Sequence, residues 1–82
     1  MSHPAQIDPV ERAIVLILKR ERLKAKISAT SLAAQIGVSR TTITHLESDD
    51  ARPTFWVLKK IADGLGLDFG QCVVEAQKEA KE

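Results

Sequence analysis

Residues 36–47 of the chain read IGVSRTTITHLE, and this stretch decides the fold. Its apolar residues, among them Ile43 and Leu46, stand at the spacing of a helix that packs on a core. Between them lies a run of hydrogen-bonding side chains that includes three threonines, although threonine is a mediocre helix former. The stretch is therefore either an ordinary solvated helix face or a face whose polar side chains are held out to contact a partner.

A very short connection joins this helix to the one before it. Ser28 or Thr30 suits the N-cap of the preceding helix, and Gly37 ends that helix at a position where positive φ is tolerated. Ser39 suits the N-cap of the next helix, which reaches to about Ser48. Two helices joined by a glycine and one further residue are the mark of a helix-turn-helix, in which the second helix enters the major groove of DNA.

The rest of the sequence predicts three further helices. Asp8 and Pro9 suit the N-cap and first position of helix one, while Thr54 suits the N-cap of helix four and Gly66 its end. No segment shows the alternation of a strand. The predicted helices, with their caps, cover residues 8–24, 28–37, 39–48, 54–66 and 68–80. The predicted fold class is therefore all-α, with five short helices.

Length and composition indicate a single globular domain. The chain has 82 residues, of which 44% are hydrophobic and 28% charged. We expect residues 1–82 to form one domain, with 1–7 as a loose N-terminus and 68–80 as a C-terminal helix. No apolar run approaches the roughly 20 residues of a membrane span, and the first residues lack the pattern of a signal peptide, so we expect none. The lone Cys72 offers neither a disulfide nor a metal site, so we expect a cytoplasmic protein.

The net charge of +1 is a balance between two unlike ends. Residues 1–26 carry six lysines or arginines against three acids, whereas residues 61–82 carry two against five. One end of the molecule can therefore face a polyanion while the other avoids it.

Catalysis is not indicated by any motif in the chain. The sequence has two histidines and one cysteine, with no glycine-rich phosphate loop, no metalloprotease motif and no nucleophile–base pair. We therefore expect no enzyme, no cofactor, no metal and no small-molecule ligand.

A helical projection separates the two faces of the third helix. Ile43, Leu46 and Glu47 fall on the side that faces the core. The outward face carries hydroxyls, an imidazole and, at the helix start, a guanidinium, but no carboxylate; its residues are Arg40, Thr41, Thr44, His45 and Ser48. A solvated face normally mixes Glu and Lys, whereas this set suits phosphate oxygens and base edges.

The chain resembles the Xre/Cro-type, lambda-repressor-like helix-turn-helix domains of phage repressors and bacterial regulators. The resemblance spans about residues 20–67. It rests on Ser28, Leu32, Ala33, Gly37, Val38, Ser39, Ile43, Leu46, Glu47, Pro53, Leu58, Lys60, Ile61, Ala62, Leu65 and Gly66. It implies a compact five-helix bundle and a sequence-specific transcriptional regulator. Such a regulator binds a pseudo-palindromic operator as a homodimer, with a recognition helix at about 39–48 in the major groove.

The resemblance also assigns roles to positions. It places Arg40, Thr41, Thr44 and His45 where bases are read, and Ser39 and Ser48 where the DNA backbone is met. Ala29 departs from the family's frequent glutamine, so that contact is missing or falls to Thr30 or Ser31. Asp49 and Asp50 depart from a basic loop, and two acids there would weaken binding to phosphate unless they point away or Arg52 offsets them. Glu47 matches an acid that pairs with a basic residue of helix one, which implies an Arg22–Glu47 salt bridge.

The dimer interface is expected on helices four and five. By resemblance the Phe55 position belongs to the core and the Trp56 position is exposed. The fifth helix carries an apolar stripe that is either a last core layer or a dimer seam. The expected interface residues are Trp56, Phe69, Cys72, Val73 and Ala76. A second function also fits these residues, namely a protein–protein module of the same fold, either antitoxin-like or coactivator-like.

Overall fold

The helices begin where the sequence predicts, because a side-chain oxygen accepts hydrogen bonds from the free backbone N–H groups of each first turn. A computed structural model describes residues 8–48 and 52–81 and contains no strand among them. The helices are α1 Pro9–Lys24, α2 Ala29–Ile36, α3 Arg40–Glu47, α4 Phe55–Gly64 and α5 Phe69–Lys81. The caps are Asp8, Ser28, Ser39, Thr54 and Asp68. The predicted all-α, five-helix fold is confirmed.

Two uncertain helix ends are now settled. Ser28, and not Thr30, caps α2: its Oγ accepts from the backbone N–H of Ser31 at 3.0 Å. The last helical residue of α4 is Gly64, and Gly66 stops the helix as predicted: its φ of +73 is left-handed, and the Leu67 N–H donates to the Ala62 carbonyl at 2.8 Å. The predicted N-terminal segment 1–7 and the residues Asp49 and Asp50 lie outside the described residues.

Helix α1 is the centre of the bundle. It packs chiefly on α5 and also contacts α3 and α4. Helix α2 packs on α3 and α4. Leu32 and Ile43 are the largest fully buried side chains, and Ala62 and Ala76 have no exposed surface. Burial of this kind contributes roughly 25 cal/mol per Å² of apolar surface, which is the main stabilising term.

Helix α2 is locked onto α4 by close backbone approach. Gln35 Nε2 donates to the Gly64 carbonyl at 2.9 Å. A Cβ at Gly64 would lie 2.8 Å from Ile36 Cγ2, so a larger residue there would force the Ile36 side chain or the helices to shift. This contact holds the first helix of the helix-turn-helix on the rest of the bundle. Within residues 8–48 and 52–81, no helix combines the length and the apolar character needed to cross a membrane.

Candidate nucleic-acid interface

The turn between α2 and α3 depends on Gly37. Its φ is +81, in the left-handed region that glycine adopts without steric cost. The backbone N–H groups of Gly37 and Val38 both donate to the Ala33 carbonyl, at 2.9 and 3.0 Å. This closes α2 and turns the chain within two residues, so that Ser39 can cap α3 directly.

The inner face of α3 is buried. Ile43 is 1% exposed and Leu46 4% exposed, and both belong to the central hydrophobic cluster. The helix is therefore fixed in rotation, which decides which of its polar side chains face outward.

An ion pair fixes α3 further, and it is the pair expected from the resemblance. Arg22 on α1 donates from Nε to Glu47 Oε2 at 2.7 Å and from Nη2 to Glu47 Oε1 at 2.9 Å. Its Nη1 donates to the Ile27 carbonyl at 2.7 Å. Hydrogen bonding to Glu47 raises the pKa of Arg22 above its ordinary value, against the opposing effect of burial. The guanidinium thus joins α1, the α1–α2 connection and α3 at one buried point.

The outer face of α3 begins with an exposed arginine. Arg40 is exposed at the first position of the helix and forms no ion pair within residues 8–48 and 52–81. Thr41 and His45 are also exposed, one turn apart on the same side. A guanidinium, a hydroxyl and an imidazole are therefore available together, without a carboxylate on this face of the helix.

The other hydroxyls of α3 already make hydrogen bonds within the protein. Ser39 Oγ accepts from the Thr42 backbone N–H at 3.1 Å. Thr44 is half-buried and donates to the Thr41 carbonyl at 3.2 Å, and Ser48 donates to the Thr44 carbonyl at 2.8 Å. The hydroxyl donors of Thr44 and Ser48 are committed to the helix, so these two side chains can serve a ligand chiefly through their oxygen lone pairs, whereas Ser39 is engaged as an acceptor.

Two predicted contacts lie on neighbouring elements. Arg52 lines a groove of about 240 Å³ together with Thr41 and His45 of α3. Thr30 is exposed in the first turn of α2, whereas Ser31 shares a hydrogen bond with Ser28 at 3.0 Å. Of the two replacements considered for the missing glutamine, Thr30 is therefore the one with an uncommitted side chain among the described residues.

The apolar residues proposed for a dimer seam divide into two groups. Cys72 and Ala76 are buried in the hydrophobic cluster, at 6% and 0% exposure, and so belong to the last core layer. Burial raises the pKa of the Cys72 thiol. Phe69 and Val73 are half-buried, and Trp56 is 54% exposed, with Lys60 Nζ 5.6 Å from its ring centroid.

The expectation that Phe55 is a core residue is wrong. Its side chain is 70% exposed and meets Phe69 edge to face, with ring centroids 5.3 Å apart. The helical repeat places Phe55 on the same side of α4 as Leu58 and Ala62, which are buried. Phe55 is exposed because it is the first residue of the helix, so that its ring lies at the end of the core against Phe69.

Comparison with known proteins agrees with this geometry. The family model described as Helix-turn-helix matches residues 18–71. No curated protein matches the chain. A crystal structure of a single-substitution mutant of the restriction–modification controller protein C.Esp1396I aligns with a TM-score of 0.79 and 21% identity, over 94% of this chain and 98% of that one. A second mutant of that protein, in a trigonal form, aligns with a TM-score of 0.70 and 22% identity, over 84% and 96%.

The structural likeness establishes the fold, and the family model covers well over half of the chain, including α2, α3 and α4. The chain belongs to the helix-turn-helix family of the Xre and lambda-repressor-like type, a family of DNA-binding transcriptional regulators.

Proposed function

We propose that the protein is a sequence-specific transcriptional regulator that places α3 in the major groove of a pseudo-palindromic operator. The observation that carries this proposal is the outer face of α3, where Arg40, Thr41 and His45 are exposed beside one another. The helix packs on the core through its inner face, with Ile43 and Leu46 buried, and these three side chains are not among the buried residues. The function is regulatory and needs neither a cofactor nor a metal.

Arg40 is the residue best suited to direct base reading. A guanidinium binds guanine O6 and N7 with two parallel hydrogen bonds, the commonest specific contact in the major groove. The N-terminal end of a recognition helix is the part that reaches the base edges. Thr41 contacts a neighbouring base or a thymine methyl group, and His45 contributes a further hydrogen bond one turn later. Thr44 lies on α3 between Arg40 and Ser48 and offers its oxygen as an acceptor to a base edge.

The remaining polar residues of the proposed interface act on the DNA backbone. Ser39 and Ser48 lie at the two ends of α3. Thr30 and Arg52 lie on the elements that flank α3. Contacts of this kind set the register of the helix on the duplex and depend on salt.

We further propose that the protein acts as a homodimer. Phe55 and Trp56 form an exposed apolar surface at the start of α4, continued by the half-buried Phe69 and Val73 of α5. Aromatic residues are enriched at interface centres, and two-fold symmetry lets one patch serve both copies. Cys72 and Ala76 support this seam from within the core. The dimer would present two copies of α3 to half-sites about 34 Å apart, and it would work in the cytoplasm with the DNA.

The same exposed aromatic residues keep one alternative open. A patch with Phe55 and Trp56 at its centre also suits a different protein, as in an antitoxin-like or coactivator-like module. The two functions differ in what α3 does, since the alternative gives Arg40 no role.

Selection of binding sites from random duplexes tests the proposal. We expect enrichment of a two-fold symmetric site whose half-sites are about 10 base pairs apart, centre to centre. Absence of any enriched sequence, with binding that is uniform across duplexes, would contradict the proposal. Sedimentation of the protein alone tests the proposed dimer. We expect the wild type to sediment as a dimer and Trp56→Ala to shift toward monomer. A monomer that still selects a symmetric site would contradict the proposed seam.

A further inference from the structure

An ion pair between two distant parts of the chain lies beside the groove next to α3. Arg52 lies in the α3–α4 connection, and Glu11 lies in the first turn of α1. Arg52 Nε is 3.4 Å from Glu11 Oε1. Neither residue belongs to the hydrophobic cluster, and neither contributes to the Arg22–Glu47 pair.

The carboxylate in this pair is partly withdrawn from water. Glu11 Oε1 has almost no accessible surface and makes no hydrogen bond within the described residues. A covered carboxylate oxygen is costly unless a positive charge lies next to it. Among residues 8–48 and 52–81, the ion-pair partner facing that oxygen is Arg52. The contact therefore favours one position of the Arg52 side chain, although that side chain is 65% exposed.

The closest approach of the pair is made by one nitrogen of the guanidinium, Nε. Arginine presents five N–H donors in a rigid plane, so holding Nε sets the direction of Nη1 and Nη2. Within residues 8–48 and 52–81, Glu11 is the residue with which Arg52 forms an ion pair, so no other acid competes for those donors. Arg52 lines the same groove as Thr41 and His45, which places the guanidinium beside the outer face of α3.

We propose that Glu11 is a positioning residue for DNA binding. It holds Arg52 so that the outer edge of the guanidinium binds a phosphate of the duplex next to the bases that α3 reads. This inference rests on the proposed function and adds a residue of α1 that touches no DNA. It also predicts an effect opposite in sign to simple electrostatics, because a carboxylate near DNA normally weakens binding by repulsion.

The test measures dissociation constants for the selected operator with the wild type and three variants. Arg52→Ala should weaken binding roughly tenfold, as expected for loss of one charge-assisted hydrogen bond. Glu11→Ala should weaken binding by about three- to tenfold, because Arg52 loses its fixed direction. Glu11→Gln should weaken binding nearly as much as Glu11→Ala, because Nε and Oε1 form an ion pair without a hydrogen bond and the neutral amide removes the attracting charge. Circular dichroism would verify that each variant is folded.

Glu75→Ala is the matched control for removing an acid. Glu75 forms an ion pair with Arg20 at 3.1 Å on α5, which packs on α1 and α4 but not on α3 within the described residues. Its removal should leave binding unchanged or slightly stronger. Stronger binding by both Glu11→Ala and Glu75→Ala would overturn the proposal, because that result is the signature of bulk charge alone.

A double-mutant cycle separates positioning from a general structural role. In an Arg52→Ala background, adding Glu11→Ala should cause no further loss of binding. Arg52→Ala and Glu11→Ala should each reduce the salt dependence of binding, by up to about 0.9 in the slope of log K against log salt. Additive losses, or an unchanged slope, would overturn the proposal. A wild type that selects no operator would instead overturn the proposed function itself, before any variant is measured.

Discussion

An arginine lies at each face of α3, and the two have opposite roles. On the inner face, Arg22 reaches Glu47 from α1 with two hydrogen bonds and is 9% exposed. On the outer face, Arg40 is exposed and makes no ion pair within residues 8–48 and 52–81. One arginine is fixed by a carboxylate and holds the helix, whereas the other is available to a ligand. Stability and DNA binding should therefore be separable within a single eight-residue helix.

The largest expected effect comes from the inner face. Glu47→Ala should lower the free energy of unfolding by about 3–5 kcal/mol, because it leaves the buried Arg22 charge without its partner. Urea denaturation monitored by circular dichroism measures this. Since the pKa of Arg22 is raised in the folded protein, the contribution of the pair is complete at neutral pH. It is lost only as the pH rises through that raised value, so the effect should be equal at about pH 6 and pH 8.

Replacing both partners provides the control for that variant. The double replacement of Arg22→Met and Glu47→Leu should recover most of the lost stability, as apolar residues of similar volume commonly do for buried pairs. If Glu47→Ala alone costs less than about 1 kcal/mol, which is typical of a surface pair, the claim that this pair fixes α3 is wrong.

The turn between the two helices should give an intermediate effect. Gly37→Ala places a side chain at φ +81, where a Cβ meets no atom within 4 Å. The cost is therefore backbone strain alone, about 1 kcal/mol of unfolding free energy. Thermal unfolding of Gly37→Ala beside an exposed-helix control on α5, Gln77→Ala, would measure it. Equal melting temperatures for the two variants would contradict the left-handed turn.

The outer face should give the smallest change in stability. Thr41→Val removes one exposed hydroxyl and keeps the branched shape, so the unfolding free energy should change by less than about 0.5 kcal/mol. Operator affinity should fall by about 0.5–1.5 kcal/mol if that hydroxyl makes a hydrogen bond to DNA. Unfolding and operator binding should be measured on one preparation of Thr41→Val, to show whether affinity falls while stability is kept. If Thr41→Val lowers the unfolding free energy as much as Gly37→Ala does, the claim that the outer face of α3 contributes little to stability is wrong.

The sequence predicts the fold well because the helix ends are locally encoded. Asp8, Ser39 and Thr54 cap their helices through bonds to residues two or three positions away, and no distant contact is needed to recognise them. The Arg22–Glu47 pair was accessible only through resemblance to a family, because its partners lie on different helices.

The surface residues show where sequence reasoning stops. The spacing of Phe69, Cys72, Val73 and Ala76 indicates an apolar stripe, but periodicity alone does not say whether a stripe faces its own core or a second copy. The packing of α5 on α1 buries Cys72 and Ala76 and leaves the other two half-buried. The contact between Glu11 and Arg52 depends on where α1 and the α3–α4 connection meet, which no local pattern reveals.

The most direct measurement compares Arg40→Ala with Lys78→Ala on the selected operator, with unfolding recorded for the same samples. Both variants remove one exposed positive charge, but Lys78 lies on α5, away from α3. Arg40→Ala should lose about 1–3 kcal/mol of binding free energy and relax specificity at one base position, with its stability unchanged. Lys78→Ala should bind as the wild type does. Equal affinity for the two variants would show that the outer face of α3 does not read DNA.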